Sequence, residues 1–434
     1  MVERMLAAEL PGAAGREVTL AGSVHRVREL PAVTFLVLRD RSATVQVVLR
    51  DPDLREQARA LVEETVVSVT GPAVANPQAP GGVEVVDPRL EVLGAAEQPP
   101  VELWRPSLTA SLPTLLDQAA VTLRHPRRQT VFRISAAALA GFRATLDAAG
   151  FTEVTSPKIV ASATESGANV FALDYFGRRA YLAQSPQFYK QVMVGVFERV
   201  YETGPVFRAE PHDTARHLAS YTSLDAELGF VRDHFDVMAV LRDVVAGMLE
   251  EVRARVPAYG EVVVGGELPS VPSEIPWIHF ADAQALIARE TGSDPTGEPD
   301  LAPEHERFLG EWAMREHGSD FVFVTGYPMV KRPFYTHPEP GRPEFSNSFD
   351  LLFRGLELVT GGQRLHRYAD YLAALDARGE SPEPYQGYLD AFRYGMPPHG
   401  GFAIGLERFL ARLTGATNVR EVTLFPRDLN RVSP

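Results

Sequence analysis

The 434-residue chain contains no cysteine. Disulfides, thiolate metal sites and cysteine nucleophiles are therefore excluded, and a reducing compartment fits. No run approaches the roughly 18 consecutive apolar residues of a membrane span. The start, MVERMLAAELPGAAGREVTL, lacks the basic stretch and apolar core of a signal peptide, so the expected location is cytoplasmic. Positive charge is also in deficit: 43 Lys and Arg stand against 56 Asp and Glu, a net charge of −13. That excludes a protein coated in positive potential, although not one with a local basic face. Basic clusters lie in the first half, in HRVREL, LRDRSA and RHPRRQ, whereas acidic residues prevail around 223–320. The phosphate-loop pattern G-x-x-x-x-G-K-S/T is missing, and the chain shows no internal repeat or low-complexity tract.

What is present is an ordinary globular composition, 45% apolar and 23% charged. That is enough for a large core in roughly two or three domains. Residues 1–97 read as a small β domain. Five runs rich in Val, Leu and Thr (EVTLAGSVHRV, AVTFLVLRD, ATVQVVLRD, TVVSVTGPAV and GVEVVDPRLEVLG) are separated by turn residues, with a helical DPDLREQARALVEE after the third. This is the strand order of an OB-fold barrel, a frequent binder of single-stranded nucleic acid. The Pro-bearing stretch at 98–129 reads as a hinge. Residues 130–434 alternate helices and strands, an α+β pattern, beginning with a long helix that ends at Gly150. The Pro- and Gly-rich piece at 257–304 reads as loops and an insertion.

Three segments carry chemistry. FTEVTSPKIV (151–160) follows the long helix and reads as a strand ended by a proline. VYETGPVFRAEPHDTARHLASYTSLDAELGF (200–230) reads as two strands around a charged loop. Arg208 and Glu210, two apart on the first strand, share a face; they either pair with each other or serve a ligand. Arg216, His217, Leu218 and Tyr221 follow. Arginine suits phosphate through its planar fork, so the hairpin is a plausible nucleotide cradle. In GMPPHGGFAIGLERFLARLTG (395–415) a glycine-rich turn precedes a helix opened by Glu407 and Arg408. Glycine there permits either close approach to a ligand or tight packing.

In this order the three segments resemble the motifs of the class II aminoacyl-tRNA synthetases. Pro157 matches the motif-one proline, Phe207-Arg208-Ala209-Glu210 the motif-two F-R-x-E, and Gly405-Leu406-Glu407-Arg408 the motif-three G-x-E-R. ESGANVF, QSPQFYKQ, RPFYT, SNSFDLLFRGLELVTGGQR, FRYGMPPHGG and LFPRDLNR resemble the aspartyl-tRNA synthetases, archaeal-type branch. The resemblance implies a six-stranded antiparallel sheet flanked by helices, an N-terminal OB-fold that binds the anticodon, and a homodimer built largely through motif one.

It also implies residue roles. Lys190 and Arg364 bind the side-chain carboxylate of aspartate, a choice that a neutral asparagine amide would leave unpaired. Glu165, Gln187, Arg208, Asp225 and Thr360 complete the aspartate site, with Asp225 facing the ammonium group. ATP is held by Arg208, Glu210, Arg216, His217, Leu218, Tyr221, Glu357, Gly405, Leu406, Glu407 and Arg408, with adenine between Tyr221 and Arg408. Glu357 and Thr360 hold Mg2+. The family more often shows Phe at Tyr221 and, in archaeal relatives, Ser at Thr360. The aspartate carboxylate attacks the α-phosphorus of ATP, and the 3′-hydroxyl of tRNA then attacks the aspartyl-adenylate. Arg208, Glu357 and Arg408 are the expected catalytic groups, acting by positioning and charge stabilisation.

In the barrel, Phe35 and Gln46 fall where the family contacts the central anticodon base, with Arg28 nearby; core packing is the alternative for Phe35. His25 and Pro80 stand where relatives restricted to tRNA-Asp carry tryptophan and lysine. Non-discriminating relatives carry His and Pro there, so charging of both tRNA-Asp and tRNA-Asn is expected, with a tRNA-dependent amidotransferase to correct the second product. The rival readings are a tRNA-independent paralogue that makes asparagine from aspartyl-adenylate, a non-catalytic RNA-binding or regulatory relative, and an asparaginyl enzyme.

Overall fold

The computed structural model describes residues 3–161, 169–211, 213–255 and 267–433. Contacts divide the chain into two units, Met1–Arg127 and Arg128–Pro434.

The first unit is a closed barrel. Its main strands are β1 (Glu17–Glu29), β2 (Thr34–Arg39), β3 (Thr44–Leu49), β4 (Val66–Ala75), β5 (Val83–Val86) and β6 (Arg89–Gly94), with the short Arg4–Met5 pairing in parallel to β1. β1 pairs with β2, β2 with β3, β3 in parallel with β5, β5 with β4, and β4 back with β1, which leaves no free edge in the ring. Helix α1 (Pro52–Arg59) follows β3 as expected; Asp51 caps it by accepting from the amides of Asp53 and Leu54. The run 82–94 differs from the expectation of one strand. Asp87 takes a positive φ of 38° and Pro88 offers no amide, so the run breaks into β5 and β6. Inward residues Leu20, Val24, Leu36, Leu38, Val47 and Val69 fill the barrel. The stretch read as a hinge contains two short helices, Leu112–Asp117 and Ala119–Thr122.

The second unit is built on one sheet. Its strands and main helices are α2 (Pro126–Ala148), β7 (Thr152–Glu153), α3 (Gln187–Phe197), β8 (Arg199–Phe207), β9 (Ser220–Gly229), α4 (His234–Arg255), β10 (Trp277–His279), α5 (Phe280–Thr291), α6 (Pro303–His317), β11 (Phe321–Thr325), β12 (Ser348–Phe353), β13 (Glu357–Gln363), β14 (His399–Gly405) and α7 (Leu406–Thr414). The sheet order is β10-β11-β12-β13-β14-β9-β8-β7. The six central strands are antiparallel, as the resemblance implied; short β10 and β7 add in parallel at the two edges.

Helices α2, α4 and α7 bury Phe142, Leu241, Val245 and Phe409 against the sheet, each worth about 1.5–3 kcal/mol. A Cβ on Gly141 would stand 2.4 Å from the Gly247 carbonyl, so only glycine lets α2 and α4 cross this closely.

Two sequence readings change here. Of residues 257–304, 257–266 lie outside the described residues, and the rest are not loops throughout, because β10 and α5 lie inside them. FTEVTSPKIV is not one strand: only Thr152–Glu153 joins the main sheet, and Ile159–Val160 pairs with Arg178–Leu182 instead.

Candidate active site

The connection 208–219, the ends of β8 and β9, the β12–β13 hairpin, β14 and the start of α7 enclose a cavity of about 480 Å³. Arg208 and Glu210 lie just beyond the end of β8 rather than on it, because the chain leaves the sheet at Phe207. They still converge on the cavity. The Arg208 guanidinium sits 5.7 Å over the Tyr221 ring and 3.9 Å from Glu210. His217 Nε2 is 3.7 Å from Glu210, and Arg216 is 3.8 Å from Glu306. Leu218 lines the same wall. Two cations and an aromatic face thus share one side, an arrangement fitted to a nucleotide.

Across the cavity, β13 presents Glu357 and Thr360. The Thr360 hydroxyl donates to Glu357 Oε1 at 3.3 Å, and Arg408 Nη1 stands 3.4 Å from the same oxygen. Asp350, the cross-strand partner of Thr360 on β12, is buried behind them and accepts from Arg332 at 3.0 Å. Burial pushes its carboxyl up; Arg332 opposes that and Glu357 adds to it. Among the described residues no group of three or more His, Asp and Glu forms a complete metal cage. One open carboxylate with a hydroxyl nevertheless suits a hard cation that keeps phosphate and water oxygens as its other ligands.

The floor is a buried four-charge cluster. Lys190 donates to Asp225 Oδ1 at 3.0 Å and to the Phe402 carbonyl at 3.1 Å, and lies 3.3 Å from Glu227. Arg364 Nε donates to Glu227 Oε1 at 2.9 Å and Nη2 to the Gly401 carbonyl at 3.0 Å. Burial raises the Glu227 carboxyl, but Arg364 and then Lys190 outweigh it and hold it below the usual range. Gly401 is required here, since a Cβ would stand 2.1 Å from Glu227 Oε2. Gly400 and Gly401 accordingly lie within β14 instead of in a turn before a helix. Arg364 and Gln187 border the cavity, whereas Lys190 and Asp225 lie just beneath.

Other expected residues divide. Gly405 lines the cavity, but Leu406 does not: it is apolar, 4% exposed and packed into the main core. Glu407 borders the cavity with its carboxylate already engaged by the Thr222 amide at 3.0 and 3.1 Å, which ties α7 to β9. Glu165 lies outside the described residues. Sequence reading missed Glu227 and Asp350. Glu227 was detectable, being two residues beyond Asp225 on the same strand face; Asp350 needed the β12–β13 register.

In the barrel, Phe35 alternates with buried Thr34 and Leu36 and points outward, so it is not core. Arg28 lies 5.3 Å over its ring and donates to Gln46 Oε1 at 2.9 Å. Gln46 in turn donates to Glu84 Oε2 at 2.8 Å, which also accepts from Asn76. Glu84 and Asn76 were not anticipated; the parallel β3–β5 pairing brings Glu84 beside Gln46. Exposed Pro80 opens the turn that closes between Asn76 and Gly82. His25 belongs to a separate cluster, with Nδ1 3.0 Å from Arg39, itself paired with Glu64.

The description "tRNA synthetases class II (D, K and N)" matches residues 111–429, and "OB-fold nucleic acid binding domain" matches residues 18–93. The chain belongs to the class II tRNA synthetases. The synthetase is 48% identical to an aspartate–tRNA(Asp/Asn) ligase of Thermus thermophilus over 99% of this chain and all of that one. It is 46% identical to the ligase of the same name from Deinococcus radiodurans, over 100% of this chain and 99% of the relative. Among solved structures, asparaginyl-tRNA synthetase of Pyrococcus horikoshii, complexed with asparaginyl-adenylate, superposes with a TM-score of 0.93 at 32% identity, each chain fully covered. The aspartyl enzyme of Entamoeba histolytica superposes at 0.89 and 29%, covering all of this chain and 93% of that one. The fold is thus shared by aspartyl and asparaginyl enzymes, and the amino acid has to be read from the cavity floor.

Proposed function

We propose that this synthetase joins L-aspartate to tRNA-Asp and to tRNA-Asn through an aspartyl-adenylate. The observation that carries the amino acid is the floor: two buried cations, Lys190 and Arg364, converge under a cavity walled by Arg208 and Arg408. A substrate carboxylate adds a charge-assisted contact to Arg364 beside the one it makes to Glu227, which a neutral amide does not match. Arg364 takes the substrate carboxylate from the cavity side, and Lys190 reinforces the positive potential from below. Gln187, Asp225 and, from outside the described residues, Glu165 orient the ammonium end. Arg208 holds the reacting carboxylate against the α-phosphate while Tyr221 and Arg408 sandwich adenine. Glu210, Arg216, His217 and Leu218 make the further contacts with ATP.

Glu357 and Thr360 are the residues that would hold Mg2+, which when bound neutralises phosphate charge. The protein's own share of catalysis is placement and charge stabilisation, with no covalent intermediate on the enzyme.

In the barrel, Phe35 supplies a stacking face for an anticodon base, with Gln46 and Arg28 as hydrogen-bonding partners. His25 and Pro80 permit the second tRNA, whose aspartyl product a tRNA-dependent amidotransferase then converts. Two further elements of the reading are a homodimer, supported by the sheet edge at β7 beside Pro157, and action in the cytoplasm.

The test is charging of purified tRNA-Asp and tRNA-Asn with labelled aspartate and ATP. Charging of both is expected. Charging of tRNA-Asp alone removes the relaxed specificity, and aspartate activation without any charging supports the tRNA-independent paralogue.

A further inference from the structure

After α7 the chain returns along the connection that carries Arg216 and His217. Val419 donates its amide to the Ala215 carbonyl at 2.9 Å, and the Ala219 amide donates to the Arg427 carbonyl at 2.7 Å. Between these two ties sits Arg420, only 7% exposed. Its three nitrogens point to three places. Nη2 donates to Asp213 Oδ1 at 2.7 Å, Nη1 to the Thr214 carbonyl at 3.0 Å and Nε to Asp428 Oδ2 at 2.5 Å. Asn430 holds the other Asp213 oxygen at 2.7 Å. Arg420 does not border the cavity, but its neighbour Val419 does.

We propose that Arg420 is a positioning residue for the nucleotide, clamping the 213–219 connection to the C-terminal segment so that Arg216 and His217 face the cavity. A connection between two strands has no ladder of its own to hold it. A ligand-binding side chain displaced by an ångström loses much of its effect. A planar guanidinium fixes two carboxylates and a carbonyl at once, which a lysine ammonium on a flexible stem does not. The amino-acid floor is built on α3, β9, β14 and Arg364 at the end of β13, and makes no use of this clamp. The inference rests on the functional reading above for the identity of the ligand.

The test is aspartate-dependent ATP–pyrophosphate exchange with the full chain, per titrated active site, for the unaltered protein, Arg420→Ala, Arg420→Lys and Asp213→Asn. Loss of the clamp is expected to raise KM for ATP roughly tenfold in Arg420→Ala, the equivalent of one charge-assisted hydrogen bond. KM for aspartate should stay within about twofold, with Arg420→Lys intermediate. Asp213, with its side chain 48% exposed, keeps the Arg420–Asp428 pair when altered. Asp213→Asn therefore reports the same shift in ATP if Arg420→Ala fails to fold. Unchanged KM for ATP in Asp213→Asn and Arg420→Lys overturns the proposal, as does a loss confined to melting temperature and active-site concentration. Absence of aspartate-dependent exchange in the unaltered protein overturns the functional reading instead.

Discussion

Glu227 and Arg364 meet in the cavity floor with Oε1 2.9 Å from Nε, the carboxylate wholly buried and the guanidinium bordering the cavity. The pair sits against a second one, Lys190 and Asp225 at 3.0 Å. Two cations and two anions therefore balance before any substrate arrives. A bound aspartate brings the extra carboxylate and meets cations already desolvated and fixed. This is the condition under which electrostatic selection works best, because no group has to reorganise.

Replacing Arg364 with lysine tests that floor. The change keeps the charge but loses the forked contact that spans Glu227 and Gly401 and, on the proposed function, the substrate. Truncating a buried, hydrogen-bonded charge contact costs about 2–5 kcal/mol, so kcat/KM for aspartate should fall roughly 30- to 1000-fold or more. KM for ATP should change little. Exchange kinetics with each substrate varied in turn will separate the two.

Tyr221 is expected to act through its ring. Tyr221→Phe keeps the face and should leave KM for ATP within about twofold, whereas Tyr221→Ala should raise it by roughly 5- to 150-fold, the value of one stacked base. If both variants behave alike, the hydroxyl and not the ring is the contact.

Acid should destabilise the protein through its buried histidines. Burial is the largest cause that lowers His25, His234 and His399 to about 4 from the ordinary 6.5. His399 is locked neutral, with Nδ1 donating to the Pro397 carbonyl and Nε2 accepting from Gln191. Between pH 4 and 6.5 the unfolded chain binds protons that the folded chain refuses. Stability therefore falls as pH drops through that window and is fully present above it. Each such histidine contributes a slope of up to about 1.4 kcal/mol per pH unit. Urea unfolding at pH 5, 6 and 7 should show the decline, and His399→Gln should flatten it.

The breadth of tRNA use should reside in the barrel alone. His25→Trp combined with Pro80→Lys is expected to depress charging of tRNA-Asn by at least about tenfold relative to tRNA-Asp, a difference of about 1.4 kcal/mol. Aspartate–ATP exchange should be unaffected. Equal loss with both tRNAs would mean that the two positions support the barrel without reading the anticodon; His25, packed on Arg39, is the one to watch.

Much of the fold was legible because its patterns are local. Barrel strands announced themselves as Val-rich runs between turn residues, and α2 by helical spacing and its terminal glycine. The run 82–94 misled because alternation continues across Asp87-Pro88 even though the backbone does not. The 257–304 stretch misled because prolines and glycines at both ends masked β10 and α5. In the site, Arg208, Glu357, Arg364 and Arg408 were found as residue types in family motifs. Leu406 was assigned to the ligand with them, yet it packs into the core, while Glu407 borders the cavity with its carboxylate tied to the Thr222 amide.

The family, the barrel preceding the catalytic unit and the residue types at the cavity were legible along the chain, because each depends on short-range order. Which charges face which is set by packing between distant segments. Arg364 and Glu227 are 137 positions apart, and Arg420 and Asp213 are 207 apart. The first pairing depends on strand register and on close approach at Gly401, the second on the return of the chain after α7 along the 213–219 connection. A buried charge is tolerated only where its partner is brought to within hydrogen-bonding distance, and that distance is a property of the packed sheet.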